Sequence, residues 1–344
     1  MRKTLTFIGL SLLAYSCAPQ ATAKKSTTPP PPVKKEEVKV APTPKPVAKE
    51  KPDSRMNDGE NEFYRVNIAD ASKNDNTISY GSLVSAKPKG YEVSRTYFPA
   101  LGQNFRQRYI ILHYTALDSD RSINVLTTQS VSAHYLIDDK NDKEIYQLVD
   151  ENKRAYHSGI SHWRDVENLN DASIGIEIVN TGYTADAAGN RTFYPYPEWQ
   201  FRKIGALVKD LVDRYMIPPT QVLGHSDVAP TRKQDPGPLF PWERLYKEYG
   251  VGMWYDQPTV DAYLMQLPQE QFVGMLADPT FIFKYQTALK QFGYGIVRSG
   301  MNDDATQRTV QAFQYRFNPK NTSGVMDAET WAILQALLDK YPGK

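Results

Sequence analysis

The chain has 344 residues, a length that accommodates about two domains. With 40% hydrophobic and 12% aromatic residues it can build a hydrophobic core, and its formal net charge of +2 gives no reason to expect a nucleic-acid partner.

The N-terminus has the layout of a secretory signal peptide. Arg2 and Lys3 precede an apolar stretch over residues 5–14, which is too short to span a membrane, and Cys17 follows. As the only cysteine, Cys17 cannot form an intramolecular disulfide, and its position resembles the lipidation site of bacterial lipoproteins. We predict a lipoprotein-type signal over residues 1–17; the alternative is an ordinary cleaved signal with an incidental cysteine.

Residues 18–58 are rich in proline and lysine and poor in large apolar side chains. Such a composition cannot bury a core, so we predict a disordered tether. We expect the protein to be secreted across the inner membrane and, if Cys17 is lipidated, to be anchored to a bilayer by its acyl chains. Because Ala18 rather than aspartate follows the cysteine, we expect an outer membrane lipoprotein that faces the periplasm.

Strands and helices then alternate. Residues 109–112, 133–137 and 174–179 read as strands, and residues 144–149 as the hairpin partner of the second. Residues 121–128, behind a cap at Asp118 or Ser119, and residues 198–215 read as helices, the latter from apolar spacing at Phe201, Ile204, Val208, Leu211 and Tyr215. The alternation predicts an α/β fold. After Pro268, three short amphipathic patterns predict a small all-α unit with its own core.

Candidate catalytic groups stand at the ends of two apolar strands. His113 and His225 each end such a strand, and strand ends at one sheet edge are where ligands converge. With Asp235, on a proline-stiffened loop, they supply two nitrogens and one oxygen and leave a fourth zinc position for water. Glu177, opposite the isoleucine face of its strand, is the candidate base or proton shuttle, and Lys233 can stabilise an oxyanion.

Each of these residues has a structural alternative when it is considered alone. A single histidine is more often a hydrogen-bonded core residue than a ligand, and a single lysine is more often a solvated charge. We expect His134, on a strand, to be structural, and His162 to lie on the surface.

Three linked segments resemble the amidase-2 family of zinc-dependent N-acetylmuramoyl-L-alanine amidases, which shares its fold with peptidoglycan recognition proteins. They are Ile111-Leu-His-Tyr-Thr-Ala, Ser173-Ile-Gly-Ile-Glu-Ile-Val-Asn and the run from His225 through Asp235-Pro-Gly-Pro-Leu-Phe-Pro-Trp. The similarity extends over about residues 91–246, and the Arg-Lys-x-Asp-Pro-Gly-Pro ending is closest to the outer-membrane lipoprotein branch.

The resemblance implies a central mixed sheet flanked by helices, a zinc amidase domain over residues 91–250, and one zinc ion with a bound water. It implies zinc ligands at His113, His225 and Asp235, a catalytic acid at Glu177 and a transition-state cation at Lys233. The implied reaction is hydrolysis of the amide between N-acetylmuramic acid and L-alanine in peptidoglycan, in cell-wall remodelling or recycling.

Three further residues are candidates for substrate binding. His157 and Trp163 lie in Ala155-Tyr-His-Ser-Gly-Ile-Ser-His-Trp-Arg, which resembles the family's element beside the substrate groove, and Asn180 follows the Glu177 strand. For each of them, a role in loop structure or in hydrogen bonding behind the site remains an equal alternative.

Residues 268–342 resemble the three-helix peptidoglycan-binding domain of wall hydrolases, through Leu289-Lys-Gln-Phe-Gly-Tyr, Ala305-Thr-Gln-Arg-Thr-Val-Gln-Ala-Phe-Gln and Ser323-Gly-Val-Met-Asp-Ala-Glu-Thr-Trp. A plain structural appendage is the alternative. We expect a monomer that acts on peptidoglycan or muropeptides. A non-catalytic peptidoglycan receptor is disfavoured because the ligand set is complete. A zinc peptidase of the stem peptide is disfavoured because the later Glu-x-x-His of such enzymes is missing.

Overall fold

The computed structural model describes residues 89–91, 104–267 and 269–343. The predicted signal peptide, Cys17 and the predicted tether lie outside these residues. The strands, in chain order, are β1 (Tyr109–Tyr114), β2 (Tyr135–Ile137), β3 (Tyr146–Gln147), β4 (His162–Trp163), β5 (Val166–Glu167), β6 (Ser173–Ile178), β7 (Tyr183–Ala185), β8 (Arg191–Phe193) and β9 (Val222–Gly224).

The central sheet is mixed, as predicted. Its strand order is β3-β2-β6-β1-β9, in which β1 runs parallel to both β6 and β9, β2 runs parallel to β6, and β3 is antiparallel to β2. The register places His113 of β1 directly beside Glu177 of β6. Neighbouring residues on paired strands point to the same face of a sheet, so the imidazole and the carboxylate share one side.

Helices cover the sheet. The first part of the chain forms α1 (Ser119–Thr128), α2 (Glu198–Tyr215), the short α3 (His225–Val228) and α4 (Trp242–Tyr249). The cap of α1 is Asp118, whose carboxylate accepts a hydrogen bond from the Arg121 backbone N–H at 2.9 Å. The apolar spacing predicted for α2 is confirmed, since its buried residues include Phe201, Ile204, Val208, Leu211 and Tyr215.

The C-terminal part is helical throughout. It comprises α5 (Gln257–Gln266), α6 (Gln269–Met275), α7 (Pro279–Phe292), α8 (Asp304–Phe317) and α9 (Ala328–Lys340). The last three are the predicted amphipathic helices, and each begins behind an aspartate cap, at Asp278, Asp303 and Asp327. The sequence patterns did not predict α5 or α6.

The C-terminal helices do not have a core of their own. Their buried side chains form one hydrophobic cluster with those of the sheet and α2, and the described residues belong to a single compact unit. The junction is aromatic, because Trp163 is fully buried against Phe292 and Tyr294, with ring centroids 5.9 and 5.2 Å away. Among the helices that the structure describes, none has both the length and the apolar character needed to cross a bilayer.

Candidate metal centre and catalytic site

Three predicted ligands converge at the edge of the sheet. His113 lies near the end of β1, His225 begins α3 directly after β9, and Asp235 follows on the next loop. The Nδ1 atoms of the two histidines are 2.9 Å apart, and each is 2.9 Å from Oδ2 of Asp235. All three side chains are buried. Donor atoms this close fit one ion, since zinc–nitrogen bonds of about 2.0–2.1 Å bring neighbouring ligands to within a few ångströms.

The hydrogen bonds behind the two imidazoles support a metal at their Nδ1 atoms. Nε2 of His225 lies 3.1 Å from the carbonyl oxygen of Ser158, which can only accept, so Nε2 carries the proton. Nε2 of His113 lies 3.0 Å from Nδ1 of His157. Nε2 of His113 can donate to this nitrogen. In the tautomers in which both Nε2 atoms donate, two Nδ1 lone pairs and a carboxylate face each other, an arrangement that a cation stabilises.

The surroundings of His113 and Asp235 favour the protonation states in which these side chains bind a metal. Burial, followed by the positive charge that His225 can carry, lowers the pKa of His113 to about 4, so its imidazole is neutral at physiological pH. Burial alone would raise the pKa of Asp235, but the two histidines outweigh it and hold that pKa well below its ordinary value. Neutral imidazoles and an ionised carboxylate are the ligand forms of zinc.

Glu177 and Lys233 flank the three ligands. Burial and the charge of Asp235 raise the pKa of Glu177 to about 8, while Lys233 opposes the shift. Its buried Oε2 has no hydrogen-bond partner among the described residues, as expected of an atom reserved for a reacting group. The charge of Lys233 also contributes to lowering the pKa of His113, so it influences both Glu177 and one of the candidate metal ligands.

His157 stands behind His113 rather than in a groove. Its ring is buried, Nδ1 faces His113, and Nε2 lies 3.1 Å from Oγ of Ser173, whose hydroxyl donates to the Leu169 carbonyl at 2.6 Å. Both ring nitrogens are therefore engaged within the protein. These contacts favour the alternative given for His157, hydrogen bonding behind the site, over the predicted substrate contact. Its ring orients His113, one of the three candidate metal ligands.

Strand β6 has a glycine at the position against which the His157 ring packs. A Cβ added at Gly175 of β6 would come within 2.4 Å of the His157 imidazole, so glycine is required there. The sequence motif around Glu177 contains Gly175, but the motif alone did not indicate a role for this glycine. A single glycine within a strand indicates that another group packs closely against the backbone there. In this protein that group is the His157 ring.

Trp163 and Asn180 both make hydrogen bonds within the protein. Trp163 is buried at the aromatic junction, and its Nε1–H donates to the Thr220 carbonyl at 3.0 Å. The amide of Asn180 donates to the Pro195 carbonyl at 3.2 Å, and its oxygen accepts from the Gly182 N–H at 2.7 Å. The prediction that Trp163 contacts substrate is wrong because its ring has no exposed surface. Asn180 is partly exposed, so a substrate contact there stays a prediction beside its loop hydrogen bonds.

The remaining histidines behave as expected. His134 is buried, and its Nδ1 accepts from the Gly175 N–H at 3.0 Å, while Nε2 donates to the Lys153 carbonyl at 3.0 Å. His162 is partly exposed and lies 4.0 Å from Glu167. Neither contacts the three-ligand cluster.

These features define the class of protein: an enzyme with a mixed α/β fold whose active site can hold a metal ion. Residues 103–238 match the sequence profile of N-acetylmuramoyl-L-alanine amidases, and residues 282–334 match that of a peptidoglycan binding domain. The chain is 40% identical, over 241 residues, to the N-acetylmuramoyl-L-alanine amidase AmiD of Escherichia coli, a match that covers 69% of this chain and 84% of that protein. The chain belongs to the N-acetylmuramoyl-L-alanine amidase family.

Other relatives agree with this assignment. The 1,6-anhydro-N-acetylmuramyl-L-alanine amidase AmpD of Enterobacter cloacae is 40% identical over 117 residues, which is 34% of this chain and 56% of AmpD. The fold matches that of E. coli AmiD in complex with anhydro-N-acetylmuramic acid-L-Ala-D-γ-Glu-L-Lys, with a TM-score of 0.67, 38% identity, and coverage of 75% of this chain and 98% of AmiD. It also matches Pseudomonas aeruginosa AmpDh3 in complex with an anhydromuramic pentapeptide, with a TM-score of 0.62, 38% identity, and coverage of 76% and 100%. The family and fold predicted from the sequence are confirmed.

Proposed function

We propose that this amidase is zinc-dependent and uses His113, His225 and Asp235 as its three protein ligands. The observation that carries the proposal is the meeting of two imidazole Nδ1 atoms and one carboxylate oxygen, each 2.9 Å from the others, while the Nε2 atoms of both imidazoles face hydrogen-bond partners behind the site. Two nitrogens and one oxygen are a donor set of catalytic zinc sites, in which a fourth position stays open.

Zinc, when bound, supplies Lewis acidity that activates water at neutral pH and polarises a carbonyl group. The chain's own residues complete the chemistry. Glu177 accepts the proton of the attacking water on its unpartnered carboxylate and passes it to the leaving amine nitrogen. Lys233 stabilises the negative charge that develops on the carbonyl oxygen. A raised pKa suits Glu177 to this exchange, because the carboxyl group must both take up and release a proton near neutral pH.

The substrate is the amide between N-acetylmuramic acid and L-alanine. The complexes of AmiD and AmpDh3 contain anhydromuramic acid joined to peptides, which supports muropeptides of that kind as substrates of this chain. The match of residues 282–334 to a peptidoglycan binding domain supports contact of the C-terminal helices with the wall.

The cell-envelope location completes the proposal. The signal-like N-terminus and Cys17 support secretion, lipidation and residence in the outer membrane, facing the periplasm. Labelling cells with a radioactive fatty acid tests this point. Wild-type protein should carry label and sediment with outer membranes, Cys17→Ser should carry none, and an unlabelled wild-type protein would refute lipidation.

The activity is tested by mass spectrometry of muropeptides after digestion. Free stem peptides that begin at L-alanine are expected, and shortened peptides still attached to sugar would contradict the amidase assignment. A chelator should abolish the reaction and added zinc should restore it. His225→Ala should lose both zinc and activity, whereas His162→Ala, a partly exposed histidine away from the cluster, should keep both.

A further inference from the structure

A basic cleft adjoins the catalytic site. It is a cavity of about 210 Å³ between the loop that precedes Asp235 and helix α8 of the C-terminal part. We use the name basic cleft for the space lined on the amidase side by Arg191, Arg232, Lys233 and Gln234 and on the α8 side by Gln307 and Arg308.

Contacts at its base hold the two walls together. The guanidinium of Arg308 donates to the carbonyl of Thr231 at 3.4 Å, and the ring of Phe193 contacts that of Tyr315 on α8, with centroids 5.5 Å apart. The cleft therefore exists only because the C-terminal helices are docked on the amidase part.

The charge of the cleft is unbalanced. Four basic side chains line it, and the one lining carboxylate, Asp304, is already paired with Arg308 at 2.8 Å. Arg191, Arg232 and Lys233 take part in none of the ion pairs found within residues 104–267 and 269–343, although Arg232 donates to the carbonyls of Ser158 and Ile160 and Arg191 lies over the Tyr183 ring. A surplus of positive charge around a concave surface attracts an anion.

The lining also includes neutral polar side chains. Gln307 and Gln311 of α8 line the cleft together with the arginines. An occupant that carries both a carboxylate and an N–H group can contact the arginines and these amides together, and a peptide is such an occupant.

Lys233 joins the cleft to the chemistry. It lines the cleft and stands two residues before Asp235, and its charge acts on both Glu177 and His113. Lys233 therefore belongs both to the lining of the cleft and to the charges that surround the metal-binding residues. An N-acetylated sugar whose lactyl group is amidated carries no charge, whereas a γ-linked glutamate in the peptide leaves its α-carboxylate free.

We propose that the basic cleft binds a free carboxylate of the stem peptide, so that α8 contributes directly to substrate recognition. The inference rests on the proposed amidase function and adds a specificity: the enzyme prefers stem peptides whose γ-linked glutamate has a free α-carboxylate over those in which this group is amidated. Arg191 and Arg308 are the residues that set the preference.

The test is a binding measurement that does not depend on turnover. Full-length, zinc-loaded Glu177→Gln protein is titrated by calorimetry with two muramoyl tripeptides that differ only in a free or amidated glutamate α-carboxyl group. Because hydrogen bonds to charged groups contribute more than neutral ones, the acid should bind roughly tenfold more tightly. In an Arg191→Gln/Arg308→Gln background the two affinities should converge. The matched control is Arg202→Gln, an exposed arginine on α2 whose side chain is paired with Glu198.

Equal affinities of the two peptides for the Glu177→Gln protein would overturn the proposal, as would an unchanged preference in the double variant. Arg191→Gln alone, at an exposed position on β8, provides the same comparison if the double variant folds poorly. Failure of the amidase function would be seen separately, as intact muropeptides in the digestion with wild-type protein.

Discussion

Asp227 and Arg316 form a buried ion pair at 2.5 Å, with each side chain only 1% exposed. Asp227 stands two residues after His225, whereas Arg316 is the penultimate residue of α8. The same aspartate accepts from the Gly224 N–H at 2.8 Å and from the Tyr294 hydroxyl at 2.9 Å. Asp227 therefore links α3 and the residue before it to the C-terminal part of the chain. The C-terminal helices thus help to position His225, the first residue of α3.

Arg316→Met should destabilise the protein and weaken its metal binding. Removing one partner of a buried ion pair leaves an uncompensated charge, at a cost of about 3–5 kcal/mol. The buried carboxylate of Asp227 would then lack its partner, and the His225 segment would shift so that this charge reaches solvent. Zinc affinity should therefore fall together with stability. Urea unfolding and chelator competition measure the two effects. Asp227→Asn combined with Arg316→Met should recover part of the stability, and loss of stability with unaltered zinc affinity would refute the link to His225.

Glu177→Gln should lower kcat about 100-fold or more while zinc content and fold are retained, because general acid–base catalysis contributes about 10²–10⁴-fold. Stability should not fall, since the variant removes a buried carboxylate whose pKa is already raised by burial. Steady-state kinetics with metal analysis provide the check. Glu167→Gln is the control, an exposed carboxylate on β5. Turnover near the wild-type rate would exclude the role given to Glu177.

His157→Phe should weaken zinc binding about 10–100-fold, because residues that hold a metal-bound histidine in place contribute that much to affinity. The KM of the zinc-saturated variant should change little. Ser173→Ala, one hydrogen bond further from His113, should show the same change to a smaller degree. A raised KM with normal zinc affinity would instead restore the original prediction that His157 contacts substrate. Chelator competition and kinetics at saturating zinc distinguish the two.

Glu151 should make stability depend on acid pH. Burial alone would raise its pKa, but hydrogen bonds from Arg214, Tyr135 and Tyr215 lower it below the ordinary value of 4.5. Its contribution is therefore complete above pH 4.5 and is lost as the pH falls through the lower pKa of the folded state. Glu151→Gln should cost about 3 kcal/mol at neutral pH, as for a broken buried pair. The difference from wild type in unfolding free energy should shrink in acid, and a constant difference would contradict the assignment.

Much of the fold could be predicted because its signals are local. The buried face of α2 follows directly from apolar residues at helical spacing, and the strand that carries Glu177 follows from alternating isoleucines. Helices α5 and α6 were not predicted. For α5 the reason is that it buries only Val260, and so little burial leaves no periodic apolar pattern in the sequence. The separate core expected for the C-terminal helices was wrong because an amphipathic pattern shows that a face is buried but not what buries it.

The sequence by itself determined the family, the chemistry of the site and its residue types, because the motifs around His113, Glu177 and the His225–Asp235 loop lie within short continuous segments. Only the tertiary structure decided that His157 supports His113, that Trp163 packs at the junction between helices and sheet, and that Arg316 pairs with Asp227, which lies 89 positions earlier in the chain. Those relationships depend on which surfaces meet in space. Burial and pairing across a junction are properties of the packed molecule, and no spacing along the chain encodes them.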